Sequence, residues 1–471
     1  MSRVGSFAKS FVILGIGNIL PKIAGFIALP ILTSCLTTAE FGTYDLINTL
    51  ISFLMPLSTL QIQNAVFRYL IDSRGDDKNI SRISSSALAF SLGFSAIVLA
   101  VCMLVMKGLD APLRFWFCVY YISQVFVVVF RQIARGLGLN KSYSISAGVQ
   151  SLAQIGLCLL LVMGLGFGLL GSVVMLAGST AMACLALSFK LRLWRYLSFR
   201  EIDSSCISKL LRYSWPLVPN QLSLWGMRAS NRFVIAAFCG ISANAMFAAA
   251  FKIPQILNLA QGTFQMAWQE NATMYSSDSD SDGYFSSMFK MLFGLTAGIA
   301  SLTIAAAPIL FAILIRGDYA DAYCQIPLLV VAMLFSCLIS FYDGICVACE
   351  LTTVIGFTAL AGAVANIVLC LVLVPLFGIT GASVAMLVSY AALFFYRAYD
   401  ASKYVAVKYE KAQLLVSITI LGIQCLICTK QTLYLNILNA IIGVVFFCVL
   451  NRQTIRMAVS KLKFGLSPNK E

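Results

Sequence analysis

Histidine is absent from this chain of 471 residues, and charged residues of either sign are scarce. Without histidine, Ser-His-Asp and Cys-His catalysis and histidine-containing metal sites are excluded. Asp, Glu, Lys and Arg make up 11% of the residues, against about 25% in an ordinary soluble domain. Apolar residues make up 60% of the chain, and its mean hydropathy is +0.89. These values exclude a water-soluble globular protein and indicate a membrane protein.

The formal net charge of +14 indicates membrane sidedness, because nucleic-acid binding needs a basic surface that faces water. The fifteen cysteines lie mostly in apolar runs, where cysteine behaves as a small buried hydrophobic residue, so no disulfide framework is indicated. The CxxC pairs at 346–349 and 425–428 lack the second pair or the histidine that a zinc site needs. We therefore expect no metal, no cofactor and no nucleic-acid partner.

Apolar runs of about 20 residues, the length that crosses a hydrocarbon core of about 30 Å, recur along the chain. They predict an all-α polytopic membrane protein with about fourteen transmembrane helices. The predicted spans are residues 10–34, 42–67, 84–106, 112–133, 144–164, 168–189, 214–239, 242–269, 287–315, 325–349, 354–376, 379–399, 412–429 and 433–450. An even number of spans places both termini on one side of the membrane.

Lysine and arginine are concentrated on alternate connections of this pattern, which predicts its orientation. Both termini, the segment 190–212 and the connections assigned to Arg131 and Arg397 belong to the basic set. Because basic connections stay in the cytoplasm, we expect both termini to be cytoplasmic. The opposite connections carry only Lys107, Arg114, Arg316 and Lys430.

The chain contains an internal repeat. QIGLCLLLV at 154–162 precedes FGLLGSVVMLAGS at 167–179, and NIVLCLVLV at 366–374 precedes FGITGASVAMLVS at 377–389, an offset of 210 to 212 residues. A repeat of six spans is even, so its two copies point the same way across the membrane. Such parallel repeats are typical of transporters.

This repeat predicts the domain organisation. We expect two parallel six-helix lobes around a central cavity, followed by two further helices. The predicted boundaries are residues 1–189 for the first lobe, 190–212 for a cytoplasmic linker, 213–400 for the second lobe, and 401–471 for two extra transmembrane helices and a basic tail.

Four cations fall deep inside predicted spans, where a charge at the bilayer centre costs about 2.5 to 3.5 kcal/mol. The helical rise places Lys22, Arg228 and Lys252 about 15 to 18 Å from the periplasmic ends of their spans, near the midplane. Arg232 lies one turn from Arg228 on the same face. We interpret the four as a binding site for an anionic headgroup. Alternatively, Lys22 and Arg232 extend to the interface or cap backbone carbonyls freed by proline.

Two carboxylates, Asp45 and Asp343, lie nearer to the periplasmic and cytoplasmic faces, respectively. They are too few to balance the four cations, which is why an anionic ligand is indicated. Both are candidates for coupling transport to H⁺ or Na⁺. A helix-end aspartate that bonds the backbone is an equally good interpretation.

Five amide side chains recur at helical spacing in the eighth predicted span. Such a stripe lines a hydrophilic path or bonds a neighbouring helix at about 1 kcal/mol per hydrogen bond, and the sequence leaves both interpretations open. The stripe consists of Gln255, Asn258, Gln261, Gln265 and Gln269.

Several short motifs occur in order along the two six-span halves. They are a first span that we expect Pro21 to break, EFGTYDLI at 40–47, SNRFVI at 230–235, AAAFKI at 248–253 and the paired FGxxG turns. Together they resemble the polysaccharide-transporter branch of the multidrug, oligosaccharidyl-lipid and polysaccharide exporter superfamily, and more narrowly the Wzx-type O-antigen flippases. One departure is Asn231, at a position that is often acidic in relatives.

The resemblance implies a flippase of the bacterial inner membrane and not an enzyme. Such a flippase moves undecaprenyl-pyrophosphate-linked oligosaccharide units from the cytoplasmic to the periplasmic leaflet by alternating access. The implied partners are this lipid-linked substrate, membrane lipids and a polysaccharide polymerase, with coupling to H⁺ or Na⁺ left open. The resemblance also implies a role in lipopolysaccharide biosynthesis.

Three alternatives remain. A lipid II flippase and a cation-coupled multidrug exporter belong to the same superfamily, and the drug exporter predicts a carboxylate near the midplane that the predicted spans lack. A membrane polysaccharide polymerase or glycosyltransferase requires a large polar loop with catalytic groups. The longest polar connections here have about 20 residues, far below the 50 or more of a folded domain.

Overall fold

A computed structural model describes residues 3–106, 108, 110–192, 195–258, 261, 268, 281–348, 352–408, 410–452 and 456. Over these residues the chain forms helices, turns and short connections, and no β-strand. The fold is therefore all-α, as the apolar runs predict. The chain divides into two compact units, Met1–Trp225 (unit 1) and Gly226–Glu471 (unit 2).

Unit 1 contains the helices of the first predicted lobe and of the linker. They are α1 (Arg3–Cys35), α2 (Thr38–Thr59), α3 (Ile62–Asp72), α4 (Asp77–Val105), α5 (Ala111–Gly136), α6 (Asn140–Leu157), α7 (Gly168–Leu191) and α8 (Ser204–Ser214). A π-helical segment, Cys158–Gly164, continues α6. The next helix, α9 (Leu217–Cys239), begins in unit 1 and ends in unit 2.

Unit 2 contains the remaining helices. They are α10 (Ile241–Lys252), α11 (Ser281–Leu314), α12 (Ile326–Ala348), α13 (Thr352–Ala401), α14 (Lys411–Cys428) and α15 (Leu433–Leu450). The backbone of α13 leaves helical geometry at Gly378, where φ is 58° and ψ is −137°. That break falls between the predicted spans 354–376 and 379–399.

Within the described residues, eight helices are long and apolar enough to cross a membrane, or nine if the bent pair α2 and α3 forms one span. One of them, Ile355–Ala401, contains two predicted spans. Shorter apolar helices at Ile19–Cys35, Ala229–Cys239 and Ala412–Cys428 match further predicted spans. The span predicted at 242–269 is described only in part. The protein is a multi-pass membrane protein.

The second span bends by 54° between α2 and α3. At the bend Leu60 and Gln61 have φ values of 45° and 59°, in the left-handed region that costs L-residues about 1 to 2 kcal/mol each. Asn64 Nδ2 donates a hydrogen bond of 2.8 Å to Gln61 Oε1. The hydroxyls of Ser58 and Tyr121 bond each other just before the bend. Polar side chains from α2, α3 and α5 therefore support this conformation.

The predicted linker packs onto unit 1 through α8. Cys206 and Leu210 of α8 are buried in an apolar core with α3, α4, α5 and α7. The other members of this core are Ile62, Ala65, Val66, Leu70, Ile80, Ile83, Ala87, Val129, Phe130, Ile133, Ala134, Leu187 and Leu191.

Hydrogen bonds also attach the linker to α4. Asp203 caps α8 by accepting a hydrogen bond of 2.8 Å from the backbone N–H of Ser205. The same carboxylate forms an ion pair with Arg82 of α4. The backbone N–H of Asp203 donates to Ser86 Oγ at 3.0 Å. Because two of these bonds converge on α4, the start of α8 is fixed in position.

Three residues lie in places that the sequence pattern did not indicate. Arg131 and Arg397 were assigned to cytoplasmic connections, but they lie inside α5 and α13. Pro21 was expected to break the first span, but α1 continues through it. Arg131 and Arg397 are near the ends of the predicted spans 112–133 and 379–399, and the helices continue past those ends to Gly136 and Ala401, so both charges are within helices and not in connections.

Candidate functional site

One of the predicted cations, Arg232, makes an aromatic contact between α9 and α10. Arg232 is partly buried on α9, and its guanidinium carbon lies 5.7 Å from the ring centre of Phe251. Phe251 stacks on Phe247 with 6.0 Å between ring centres. It directly precedes Lys252, which ends α10. A cation against an aromatic face gains about 0.5 to 2 kcal/mol, so this contact stabilises the charge of Arg232 beside the segment that carries Lys252.

The other two predicted cations are placed only in part. Lys22 is exposed on α1 of unit 1. Arg228 lies one turn before Arg232 on α9, and its side chain is outside the described residues. Because Lys22 belongs to unit 1 and the other three belong to unit 2, a common cavity for all four stays a prediction.

Next to Arg232, a buried polar cluster joins α9 to α13. Asn366 Nδ2 donates to Asn231 Oδ1 at 2.6 Å and to Ser230 Oγ at 3.3 Å. Cys370, one turn after Asn366, donates its thiol to Asn231 Oδ1 at 3.2 Å. Asn231 is 0% exposed and Asn366 is 1% exposed. The cluster consists of neutral groups. Asn231, the position at which this chain departs from the family it resembles, therefore joins α9 to α13 without a carboxylate.

Asp343 forms an ion pair with Arg397 that no pattern in the sequence indicated. The pair joins α12 to α13, and the side chain of Arg397 is 3% exposed. Arg397 Nε donates to Thr358 Oγ1 at 3.2 Å, and its Nη2 donates to the carbonyl of Ile355 at 3.1 Å. Asp343 therefore balances a buried guanidinium in this state of the protein.

Asp45, the other candidate carboxylate, is 3% exposed on α2. One turn further, Asn48 Oδ1 accepts a hydrogen bond of 2.8 Å from the hydroxyl of Tyr120 on α5. Gln124 Nε2 donates to the same hydroxyl at 3.2 Å. Asp45 thus lies one turn from a polar contact between two helices of unit 1.

The described part of the amide stripe contacts α12. Asn258 Nδ2 lies 3.6 Å from Met333 Sδ, and Gln261 Nε2 donates to the carbonyl of Ser336 at 3.1 Å. These bonds correspond to the helix-to-helix interpretation of the stripe. Gln265 and Gln269 lie outside the described residues.

A groove of about 650 Å³ runs along α14 and α15. Its walls are mainly apolar, while Lys290, Glu410 and Arg452 are at its charged end. Lys290 and Glu410 form an ion pair there. The apolar wall consists of Ala412, Val416, Ile420, Ile441, Ile442, Val445, Phe446, Val449 and Leu450.

Two of the motifs that carried the resemblance contact each other. Glu40 of EFGTYDLI accepts hydrogen bonds from the backbone N–H of Thr37 at 2.9 Å and from that of Leu169 at 3.3 Å. Leu169 lies in the first turn of α7, inside the first FGxxG motif. Gly168 has a φ of 51°, and a Cβ atom there would lie 2.7 Å from Glu40 Oε1. Glu40 therefore requires a glycine at position 168, because its carboxylate occupies the space that a side chain there would fill.

Multiple apolar helices with charged residues within them define a multi-pass membrane protein. The chain belongs to the family described as polysaccharide biosynthesis protein, whose model matches residues 7–269, more than half of the chain. No curated protein sequence matches this chain significantly.

Several solved structures share the fold. The lipid II flippase MurJ in an inward closed conformation has a TM-score of 0.69 and 14% identity, and covers 95% of this chain and 100% of its own. An inward-facing multidrug resistance MATE family transporter of the MOP superfamily has a TM-score of 0.63 and 16% identity, over 82% of this chain and 94% of its own. A MOP superfamily transporter from Pyrococcus furiosus, described as having a binding pocket of reverse polarity, has a TM-score of 0.60 and 14% identity, over 84% and 95%. The protein has the fold of this superfamily.

Proposed function

We propose that this protein is a flippase for undecaprenyl-pyrophosphate-linked oligosaccharides of the O-antigen type. It would move them from the cytoplasmic to the periplasmic leaflet of the bacterial inner membrane by alternating access. The observation that carries the proposal is that cations outnumber carboxylates in the membrane helices of a polysaccharide biosynthesis family member. Of the two candidate carboxylates, Asp343 pairs with Arg397.

A pyrophosphate headgroup suits these cations. Arginine binds phosphate oxygens bidentately, whereas lysine acts as a point charge. Lys22, Arg228, Arg232 and Lys252 are the residues that we assign to the headgroup. Export is also electrically favourable, since each negative charge that moves outward gains about 2.3 kcal/mol per 100 mV of inside-negative potential.

The groove along α14 and α15 supports a lipid-linked substrate. Its apolar walls suit a hydrocarbon chain, and Lys290 and Arg452 at one end suit a phosphate. A hydrophilic sugar chain would not be stable against those walls, so only the lipid part of the substrate belongs there. A polysaccharide polymerase would receive the exported unit and is the protein partner that we propose.

Coupling to H⁺ or Na⁺ would act through Asp45 or Asp343. A proton or sodium ion at Asp343 would compete with Arg397 for the carboxylate. Breaking their ion pair would release α12 from α13, which connects an ion-binding event to helix movement. We expect Asp343→Asn to slow transport more than Asp45→Asn.

The test is complementation of a strain that lacks its O-antigen flippase. Arg228→Ala and Lys252→Ala should weaken headgroup binding about tenfold to a hundredfold, the scale of a lost charge-assisted hydrogen bond. Both should remain in the membrane. The matched controls are Arg228→Lys and Lys252→Arg, which preserve the charge. Normal polysaccharide from well-expressed alanine variants would contradict the assignment.

A lipid II flippase is the second candidate, favoured by the likeness to MurJ along 95% of this chain. Both substrates have a pyrophosphate-linked lipid, so the cations do not separate the two functions. Rescue of a strain depleted of its lipid II flippase, without rescue of the O-antigen strain, would favour lipid II. Drug resistance without either rescue would favour a multidrug exporter.

A further inference from the structure

Two arginines of α5 meet the same tyrosine of α6. The guanidinium carbon of Arg131 lies 5.8 Å from the ring centre of Tyr143, and that of Arg135 lies 6.0 Å from it. The two arginines are one helical turn apart on the same face of α5. Arg135 also lies over the ring of Phe67, at 4.6 Å. Two positive charges are thus concentrated around one aromatic ring.

Arg131 is fixed in position by neutral groups. Its Nε donates to Ser146 Oγ at 3.1 Å, and its Nη2 donates to Gln150 Oε1 at 2.7 Å. Gln150 is itself oriented by a hydrogen bond of 3.3 Å from its Nε2 to Thr180 Oγ1 on α7. Three helices therefore position this guanidinium. Only two of its five N–H groups are needed for those bonds.

Carboxylates do not balance this pair. Arg135 donates to Gln132 Oε1 at 3.2 Å, and neither Arg131 nor Arg135 has an ion-pair partner in the described part of the chain. Other arginines of unit 1 differ, since Arg68 pairs with Asp72 and Arg82 pairs with Asp203.

Helix capping explains only part of the arrangement. Arg135 lies in the last turn of α5, and Arg74 donates to the carbonyl of Gly136 at 2.7 Å. Both positions suit the negative end of a helix dipole, whose effect fades beyond about one turn. Arg131 is more than one turn inside and is directed to α6 and α7. No carboxylate of the described residues offsets its charge.

We propose that Arg131 and Arg135, together with Tyr143, form a binding subsite for the phosphate group of a lipid headgroup. This proposal rests on the proposed function, which supplies a pyrophosphate-linked lipid, and on the predicted cytoplasmic position of this end of α5. The subsite would receive the substrate before it reaches the deeper cations. Arginine suits that step because its planar fork binds two phosphate oxygens at once.

The test measures lipid binding by the full chain in phosphatidylcholine nanodiscs. The probes are undecaprenyl pyrophosphate and, at the same mole fraction, phosphatidylglycerol. Binding to the native state stabilises it by RT ln(1 + [L]/Kd), so the unfolding temperature rises with the logarithm of probe concentration once that concentration exceeds Kd. Arg131→Gln and Arg135→Gln should raise the Kd for undecaprenyl pyrophosphate about tenfold to a hundredfold. Arg68→Gln, which removes an arginine that has an acidic partner, should leave it unchanged.

Lysine variants keep the test valid if a glutamine variant does not fold. Arg131→Lys and Arg135→Lys preserve the charge and lose the fork, so they should bind with intermediate Kd. An unchanged Kd in all four variants would overturn the proposal. Equal binding of phosphatidylglycerol, lost equally in the variants, would make this a general lipid site and overturn the substrate role.

Failure of this proposal can be told from failure of the proposed function. If the wild type restores polysaccharide and both glutamine variants restore it equally with unchanged Kd, the subsite is refuted and the function stands. If the variants lose pyrophosphate-lipid binding while the wild type restores no polysaccharide, the subsite stands and the function is refuted.

Discussion

At the scale of residues, the pairing of Asp343 with Arg397 determines how the acidic residues are interpreted. The sequence identified Asp343 as a carboxylate in a membrane span but assigned Arg397 to a connection, so their attraction could not be predicted. The side chain of Arg397 is buried and that of Asp343 is 21% exposed, and Arg397 has further hydrogen bonds to Thr358 and Ile355. Removing one partner of a buried pair leaves the other charge uncompensated, at a cost of about 3 to 5 kcal/mol.

We expect a double-mutant cycle to reveal this pair. Asp343→Asn and Arg397→Gln should each lower the thermal stability of the purified protein, by about 3 to 5 kcal/mol in unfolding free energy. The double variant should recover most of the loss, because neither charge then remains alone. Fluorescence-detected gel filtration after heating measures both effects. Additive losses in the double variant would show that the two residues do not depend on each other.

The sequence predicted which helices contain the cations, but it did not predict the contacts that these cations make. Hydropathy and helical rise placed Lys22, Arg232 and Lys252 inside helices, and the structure contains those helices. The contact of Arg232 with Phe251 was not foreseen. Cation–π contacts depend on which helices pack together, and no local pattern along one helix encodes that. The contacts of Arg131 with Tyr143, Ser146 and Gln150 could not be predicted for the same reason.

At the scale of elements, apolar runs predicted the helices well because about 20 residues are needed to cross the membrane. They did not predict the bend at Leu60 and Gln61, since neither residue is the glycine that usually adopts a positive φ. The FGxxG turns were recognised by repetition. Their glycines at 168 and 378 share φ values of 51° and 58°, so the repeat extends to backbone conformation.

We expect Glu40 to stabilise the ends of two helices. Glu40→Ala should lower the free energy of unfolding by about 1 to 2 kcal/mol, the range for loss of a helix cap. Glu40→Gln retains an acceptor and should lose less. The control is Glu410→Ala, since Glu410 is exposed and pairs with Lys290 at the surface, where such pairs contribute about 0 to 1 kcal/mol. A larger loss for Glu410→Ala would contradict the importance of the motif contact.

The linker should release from α4 at acid pH. Hydrogen bonds from the backbone N–H and the hydroxyl of Ser205, together with Arg82, hold the pKa of Asp203 below its ordinary value of 3.8. Because the folded pKa is depressed, the docked linker keeps this stabilisation above pH 3.8 and loses it as the pH falls through the lower folded value. Limited proteolysis with an acid-active protease should then cut the linker.

Asp203→Asn serves as the control for that experiment. It removes the charge at every pH, so the linker should be cut more readily at neutral pH than in the wild type, with little further change on acidification. An acid transition of equal size in this variant would assign the release to another group.

At the scale of the whole molecule, the two C-terminal helices lie outside the repeat yet are bound to unit 2 by buried polar contacts. Ser301 Oγ of α11 donates to Gln424 Oε1 of α14 at 2.6 Å, and Asn451 Nδ2 donates to the carbonyl of Gly294 at 2.9 Å. Such bonds hold α14 and α15 in one position against α11. The groove between them is therefore a fixed feature of unit 2.

Topology is the prediction that the whole molecule must satisfy. Basic residues are depleted from every second connection, and basic connections stay in the cytoplasm. Alkaline phosphatase fused after residue 205 or residue 280 should therefore be inactive, whereas a fusion after residue 108 should be active in the periplasm.

The fusion at 205 tests the orientation of unit 1, because α8 packs onto the core of unit 1 and fixes which end of α3, α4 and α5 faces the linker. Activity at 205 would reverse the orientation of unit 1, and with it the side from which Arg131 and Arg135 meet the substrate. Activity at 280 alone would mean an odd number of spans between the two sites, and the helices after residue 280 would then run opposite to their counterparts in the first lobe, which would contradict a parallel repeat.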